Sequence, residues 1–438
     1  MITRAGLLAT VAFCLLLAGC GDSDNKAAAP KEAAAPEAAK AVFHDWQSVD
    51  LHNGLVTVHL VPQLGGRTMG YELADRELLY ANPSRYGHVP GETLVDRGPA
   101  KSAPANGGPA KGGAAPDTKA LGTPGDKAPA KPATPDAPPT SQAAAPAASA
   151  GGVRFAADST PPPTPSAEAK PDAKPAPGPA APAKSDDAPL KFIPSPTSAE
   201  YVNYGGEVWW PAPQGQWEKP WPPPATLDQG TWGVSVDVAK GDDVSVTLTS
   251  PPDDTLGVQI TRNVHLARAS TVVHSVATLK NVGKMGHVWA LESLSQHPGA
   301  LGEGETFTKD AALVLPLNPK SEFKSGFTAL LGAVDEAHYT AKDGLLDIAY
   351  DGRETAAGAD SNAGWVAYCD QRHQQVFVRL TVVDPDSRYP DHDVSALVYT
   401  APSKVASYLA AALRSPLAAL KVDATTSMDL WDGAATCP

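Results

Sequence analysis

From residue 234 to the end of the chain, apolar and polar positions alternate with a period of two. The runs 234–238 and 244–249 place Val and Leu on one face and Ser, Thr and Asp on the other. The same pattern recurs at 258–266, 271–279, 287–295, 327–331, 345–350, 364–369, 375–383, 394–399 and 425–431. Gly, Pro, Asp and Asn separate these runs. Period-two alternation over four to ten residues, punctuated by turn formers, predicts strands. Many such strands in series predict an all-β fold, a large antiparallel β-sandwich. Residues 405–413 have helix-forming alanines, but their neighbours are all strands, and a strand is expected there too.

A shorter β pattern precedes this one. Val49, Leu51, Leu55, Val56, Val58 and Leu60 alternate around Asn53-Gly54, a turn dipeptide that predicts a hairpin. Leu64-Gly65-Gly66-Arg67-Thr68-Met69 follows, then a third strand over 77–80. The first folded segment is read as 42–97 and the main part as 191–438.

Between them the alternation stops. Residues 98–190 are Pro, Ala, Lys, Gly and Asp with almost no aromatic residues, the composition of a disordered insertion. Residues 20–41 have a similar composition and read as a tether. Residues 1–19 read as a secretory signal, with Arg4 before a short apolar run. It ends in Leu17-Ala18-Gly19-Cys20, which resembles a bacterial lipobox. That resemblance implies cleavage before Cys20, palmitate-type acylation of the cysteine, and anchoring in the cell envelope. Gly21, rather than Asp, after the cysteine points to the outer membrane, facing the periplasm.

The stretch 201–232 holds five of the nine tryptophans, interleaved with proline and glycine. Pro211, Pro213, Pro220 and Pro222 exclude a helix and a long regular strand. A rigid connection carrying Trp209, Trp210 and Trp217 beside Asn203, Tyr204, Glu207 and Gln214 suits a sugar ring, which is apolar on its faces and polar at its rim. The same tryptophans could equally plug one end of a β-structure.

The net charge of −13 argues against nucleic acid as a partner. Of four cysteines, Cys14 leaves with the signal and Cys20 takes lipid. Cys369 and Cys437 are then expected to pair in an oxidising compartment. The eleven histidines are scattered, so no metal site is expected, and no cofactor motif is present.

Several motifs together resemble one family. They are Leu64-Gly-Gly-Arg-Thr-Met, Asn203-Tyr-Gly-Gly-Glu-Val-Trp-Trp-Pro-Ala-Pro-Gln, Trp289-Ala-Leu-Glu-Ser-Leu-Ser-Gln296, Gly364-Trp-Val-Ala-Tyr, Tyr389-Pro-Asp391 and Ser415-Pro-Leu. They resemble the family of unknown function numbered 4380, over 42–95 and 195–435. The resemblance implies a galactose mutarotase-like supersandwich that binds carbohydrate on one concave face. There are departures. Glu207 and Val208 stand where the family pattern is expected to carry Asp and Lys. Alanines surround Tyr408, and no His-x-Tyr element of the mutarotase type is found.

The candidate ligand contacts are therefore Arg67, Asn203, Tyr204, Glu207, Trp209, Trp210, Gln214, Trp217, Arg262, Trp289, Gln296 and Tyr389. Arg67 follows two glycines and offers a forked donor. Arg262 and His265 are three apart and must face opposite sides of a strand. Periodicity favours His265 for an open face, while the family likeness favours Arg262. Candidate acid–base groups are His265, Glu292, Asp391 and His392. The run Asp391-His392-Asp393 could orient a proton-transfer pair, although Asp beside Pro is also ordinary turn chemistry. Three functions remain open: an envelope lipoprotein that binds carbohydrate, an aldose 1-epimerase-like enzyme, and a structural envelope protein acting through its insertion.

Overall fold

The computed structural model describes residues 34–91, 201–300 and 310–437. The signal, Cys20 and the 98–190 insertion lie outside the described residues. The described residues form twenty-two strands. From the N-terminal side these are β1 (Glu37–Phe43), β2 (Trp46–His52), β3 (Val56–Val61), β4 (Arg67–Leu73) and β5 (Arg76–Glu77). The middle of the chain forms β6 (Glu207–Ala212), β7 (Gly233–Val238), β8 (Asp243–Thr249), β9 (Val258–Ala267), β10 (Val272–Asn281) and β11 (His287–Pro298). Then come β12 (Ala311–Pro316), β13 (Thr328–Leu331), β14 (Tyr339–Lys342), β15 (Leu345–Ala349), β16 (Thr355–Ala359) and β17 (Trp365–Asp370). The last are β18 (Gln375–Thr381), β19 (Ala396–Thr400), β20 (Tyr408–Arg414), β21 (Ala418–Leu420) and β22 (Thr425–Thr436).

Every pairing is antiparallel, and the strands make two sheets. The twelve-stranded sheet runs β1-β2-β3-β4-β6-β11-β20-β19-β16-β13, with β5 on β4 and β21 on β11. The ten-stranded sheet runs β14-β15-β12-β17-β18-β22-β10-β9-β8-β7. Val56, Val58, Leu60 and Leu291 from the first pack in one apolar cluster with Val246, Ile260, Val264 and Leu279 from the second. Each such side chain is stabilising by roughly 1.5–3 kcal/mol. The all-β sandwich expected from the alternation is the architecture found.

Several local expectations change. Pairing begins at Glu37, inside the stretch read as tether and five residues ahead of the expected start, because 37–43 pairs residue for residue with β2. The third strand is only the two-residue β5; Leu78 N still donates to Tyr71 O, and Leu78 and Leu79 are buried. The aromatic stretch contains a short central strand, β6, despite Pro211. The proline is tolerated because β6 pairs with β4 only at Thr68↔Glu207, so at Pro211 the side towards β4 carries no ladder. The alanine-rich segment is the strand β20.

The expected Cys369–Cys437 bridge is not formed. Cys369 is a free thiol. It lies opposite Val376 on β18, and Val376 lies opposite Ala435 on β22. A whole strand therefore separates the two cysteines, about 10 Å at two strand spacings. A disulfide spans at most about 7 Å between Cα atoms. Burial pushes the Cys369 thiol up to about 12.

Candidate functional site

Both Gly-Gly pairs of the sequence motifs lie where the backbone turns left-handed against another segment. Gly65 and Gly66 have φ of +67° and +59°, and a Cβ on either would strike the Asp228 carbonyl or the Trp232 ring at 2.3–2.4 Å. Gly205 and Gly206 press on Tyr80 and Thr68 in the same way. These approaches draw the 225–232 segment onto the β3–β4 turn. Gly65 N donates to Gly230 O, and Trp232 N donates to Pro62 O.

Arg67 then folds back. Its Nη2 donates to Asp228 Oδ1 at 2.6 Å and its Nη1 to Gly205 O at 2.8 Å, with both side chains fully buried. Burial pushes the Asp228 carboxyl upward, against the pull of Arg67. Arg67 is thus committed to joining three segments and presents no fork to solvent.

Glu207 sits between the sheets. Its Oε2 accepts from Thr68 at 2.7 Å and from Arg262 at 2.9 Å. Its Oε1 accepts from Ser293 at 2.8 Å and from Arg379 at 2.7 Å. Burial opposes ionisation here, but Arg262 and Arg379 hold the carboxyl below its ordinary value. Arg379 also donates to Asp432 at 3.0 Å. Burial raises Asp432 to about 6, with Arg379 pulling the other way. Arg262 lies over the Trp209 ring at 5.3 Å, so Trp209 is part of the same inter-sheet group. Trp289 is on the same phase of β11 as Ser293, faces the core, and is 2% exposed.

The alternate phase of β11 faces outward. Gln296 and Asn203 exchange two amide hydrogen bonds, at 2.9 and 3.0 Å. Glu292 accepts from Arg414 and from Gln214, both at 2.6 Å, and Arg414 also donates to Asp391 at 2.9 Å. Trp210 packs edge-on against Trp217 at 5.9 Å, and Trp217 donates to Pro211 O. Tyr204 and Tyr389 are buried, and Tyr389 Oη accepts from Asp384 N.

The expected open aromatic platform is therefore not what these residues make. Trp209, Trp210, Trp217 and Trp289 are at most 4% exposed and serve as packing. Their polar neighbours are consumed by one another. The physical reason is that each charged group on these central strands has met an opposite charge in the interior, where an unpaired one would be costly.

The acid–base candidates are also divided. His265 is outward on β9, because Arg262 and Val264 on the alternate phase face the core. Glu292 and Asp391 are on the other sheet's outer side, across the sandwich. Residues 391–393 all have φ near +50° to +70°. Asp393 accepts from Tyr389 N and Arg388, and His392 is exposed, so this run is turn chemistry.

The segment that carries Asp228 also borders an open cavity of about 430 Å³. It lies between the β3–β4 turn, residues 89–91 and the segment 225–231. Gln63, Gln229 and Thr231 supply amides and a hydroxyl, and Val89, Pro90 and Ala225 supply apolar wall. Among the described residues no charged side chain lines it. None of its polar residues was singled out by sequence. The available signal was positional only: Gln229-Gly230-Thr231 closes the aromatic stretch, and Gln63 precedes Gly65-Gly66.

No family model matches the chain. No curated protein matches it either. Among solved structures it is similar to a galactose mutarotase-like protein from Clostridium acetobutylicum, at 8% identity and TM-score 0.46, covering 92% of this chain and 99% of that one. It is similar to a putative mutarotase from Salmonella typhimurium, at 8% identity and TM-score 0.44, covering 91% and 94%. It is also similar to a TPR-domain containing protein from Parabacteroides distasonis, at 10% identity and TM-score 0.44. That match covers 89% of this chain and spans about half, 47%, of the other.

Proposed function

We propose that the protein is a carbohydrate-binding lipoprotein of the cell envelope, anchored through Cys20 and belonging with the family numbered 4380, and that it binds without turnover. The observation that carries the reading is the cavity of about 430 Å³ whose wall, among the described residues, is made by uncharged side chains of the β3–β4 turn, 89–91 and 225–231. Its size falls in the range of small-ligand sites, roughly 300–1,000 Å³. Its wall of amides, a hydroxyl and small apolar surfaces matches a ring of hydroxyls with apolar faces. The Arg67–Asp228 pair and the glycines behind it hold that wall rigid, and rigidity lowers the ordering cost of binding.

Binding is favoured over epimerisation because His265 is across the sandwich from Glu292 and Asp391, and both carboxylates are tied to Arg414. Calorimetry of the mature chain against mono- and oligosaccharides tests the reading. A saccharide is expected to bind wild type and to be excluded by Ala225→Trp, a change at an exposed wall position that leaves the melting temperature in place. Equal binding by Ala225→Trp, or no binding across the panel, sinks it.

A further inference from the structure

His265 and His274 are nine residues apart and on different strands, yet β9 and β10 place them directly opposite each other. Both point outward from the ten-stranded sheet, each about one-third exposed. Their rings are 6.2 Å apart and inclined by 27°. Each is backed by a carboxylate from a neighbouring position. His274 Nε2 is 2.8 Å from Asp429 Oδ1, and His265 Nδ1 is 3.4 Å from Asp243 Oδ2.

We propose that this pair is a surface site for a divalent transition-metal ion, with Cu(II) preferred. A carboxylate that accepts the N–H of one imidazole nitrogen leaves the other nitrogen with its lone pair, which is the arrangement around metal-bound histidines. Here the hydrogen bond is made at His274 to Asp429, and on the facing side chain Asp243 lies 3.4 Å from His265 Nδ1. The ligating atoms are His265 Nε2 and His274 Nδ1, and opposed residues on antiparallel strands have Cβ atoms only about 5 Å apart. Asp243 and Asp429 add negative charge beside the ion. No set of three His, Cys, Asp or Glu side chains among the described residues converges as a cage. The site is therefore open, with two protein ligands and the remaining positions left to solvent. Such a site favours the metal with the greatest intrinsic affinity for imidazole, and copper stands at the top of that series.

The structure supplies its own reporter. The Trp431 ring stacks on His274 at 4.8 Å and 3°. A paramagnetic Cu(II) ion on His274 quenches that indole selectively. The experiment is a titration of the full mature chain with Cu(II), read by tryptophan emission and by calorimetry. Saturable quenching at one equivalent is expected. His265→Ala and His274→Ala should each weaken binding by roughly tenfold or more, and Asp429→Asn by roughly tenfold. Trp431→Phe should keep the calorimetric affinity and lose most of the quench, which separates binding from signal. Zn(II) should compete more weakly. Linear, unsaturable quenching, or the same affinity in both histidine variants, overturns the proposal. Because these side chains are on the solvent face, unchanged melting temperatures will show that the variants fold.

Discussion

Replacing Glu207 by Gln keeps the side-chain shape and removes one charge from the inter-sheet group. In the wild type that carboxylate takes four hydrogen bonds, two of them from Arg262 and Arg379, and all three side chains are at most 3% exposed. After the change only Asp432 remains to balance two buried guanidinium groups. Breaking a buried ion pair from one side costs about 3–5 kcal/mol, because the remaining charge is left uncompensated. At about 2–4 °C per kcal/mol for a body of this size, the melting temperature should fall by roughly 6–20 °C. Adding Arg262→Met to Glu207→Gln should recover part of the loss, since it removes an uncompensated cation. Differential scanning calorimetry of the single and double variants, alongside saccharide titration of each, provides the assay. A drop in stability below about 1 kcal/mol together with loss of saccharide binding would refute the reasoning. It would mean that Glu207 meets a ligand instead of closing the interior.

Two further outcomes follow from the same geometry. His59 lies 3.0 Å from Asp50 and 3.4 Å from Glu72; burial opposes its charge, yet the two carboxylates raise it to about 9. Because the folded-state value lies above the ordinary 6.5, its stabilisation is complete below about pH 6.5 and disappears as pH rises towards 9, on the order of 3 kcal/mol in all. Urea titrations at pH 6, 7.5 and 9 should show this decline in wild type and a flatter profile in His59→Gln. Gly66→Ala forces a left-handed residue at about 1–2 kcal/mol and puts a methyl 2.4 Å from the Trp232 ring. It should lower the denaturation midpoint and weaken saccharide binding at the adjoining Thr231 wall, whereas Gly215→Ala, with nothing within 4 Å and no left-handed backbone, should mainly spare stability.

What the amino-acid order determines by itself is local. Alternation with period two specified most of the strands from β7 onward, though not β12, β14, β16 or β21, and Asn53-Gly54 specified the β2–β3 hairpin, because pleat and turn geometry act over a few residues. The tertiary structure alone decided which polar groups were spent on one another. Arg67 and Asp228 are 161 positions apart, and Glu207 and Arg379 are 172 apart. A sequence offers no sign that such groups will cancel, so residues with the chemistry of a sugar site became the ties between two sheets. Strand order likewise set Cys369 and Cys437 two strands apart and brought His265 beside His274. Pairing across a sheet depends on register between distant segments, and register is fixed only when one face of every strand has been buried at once.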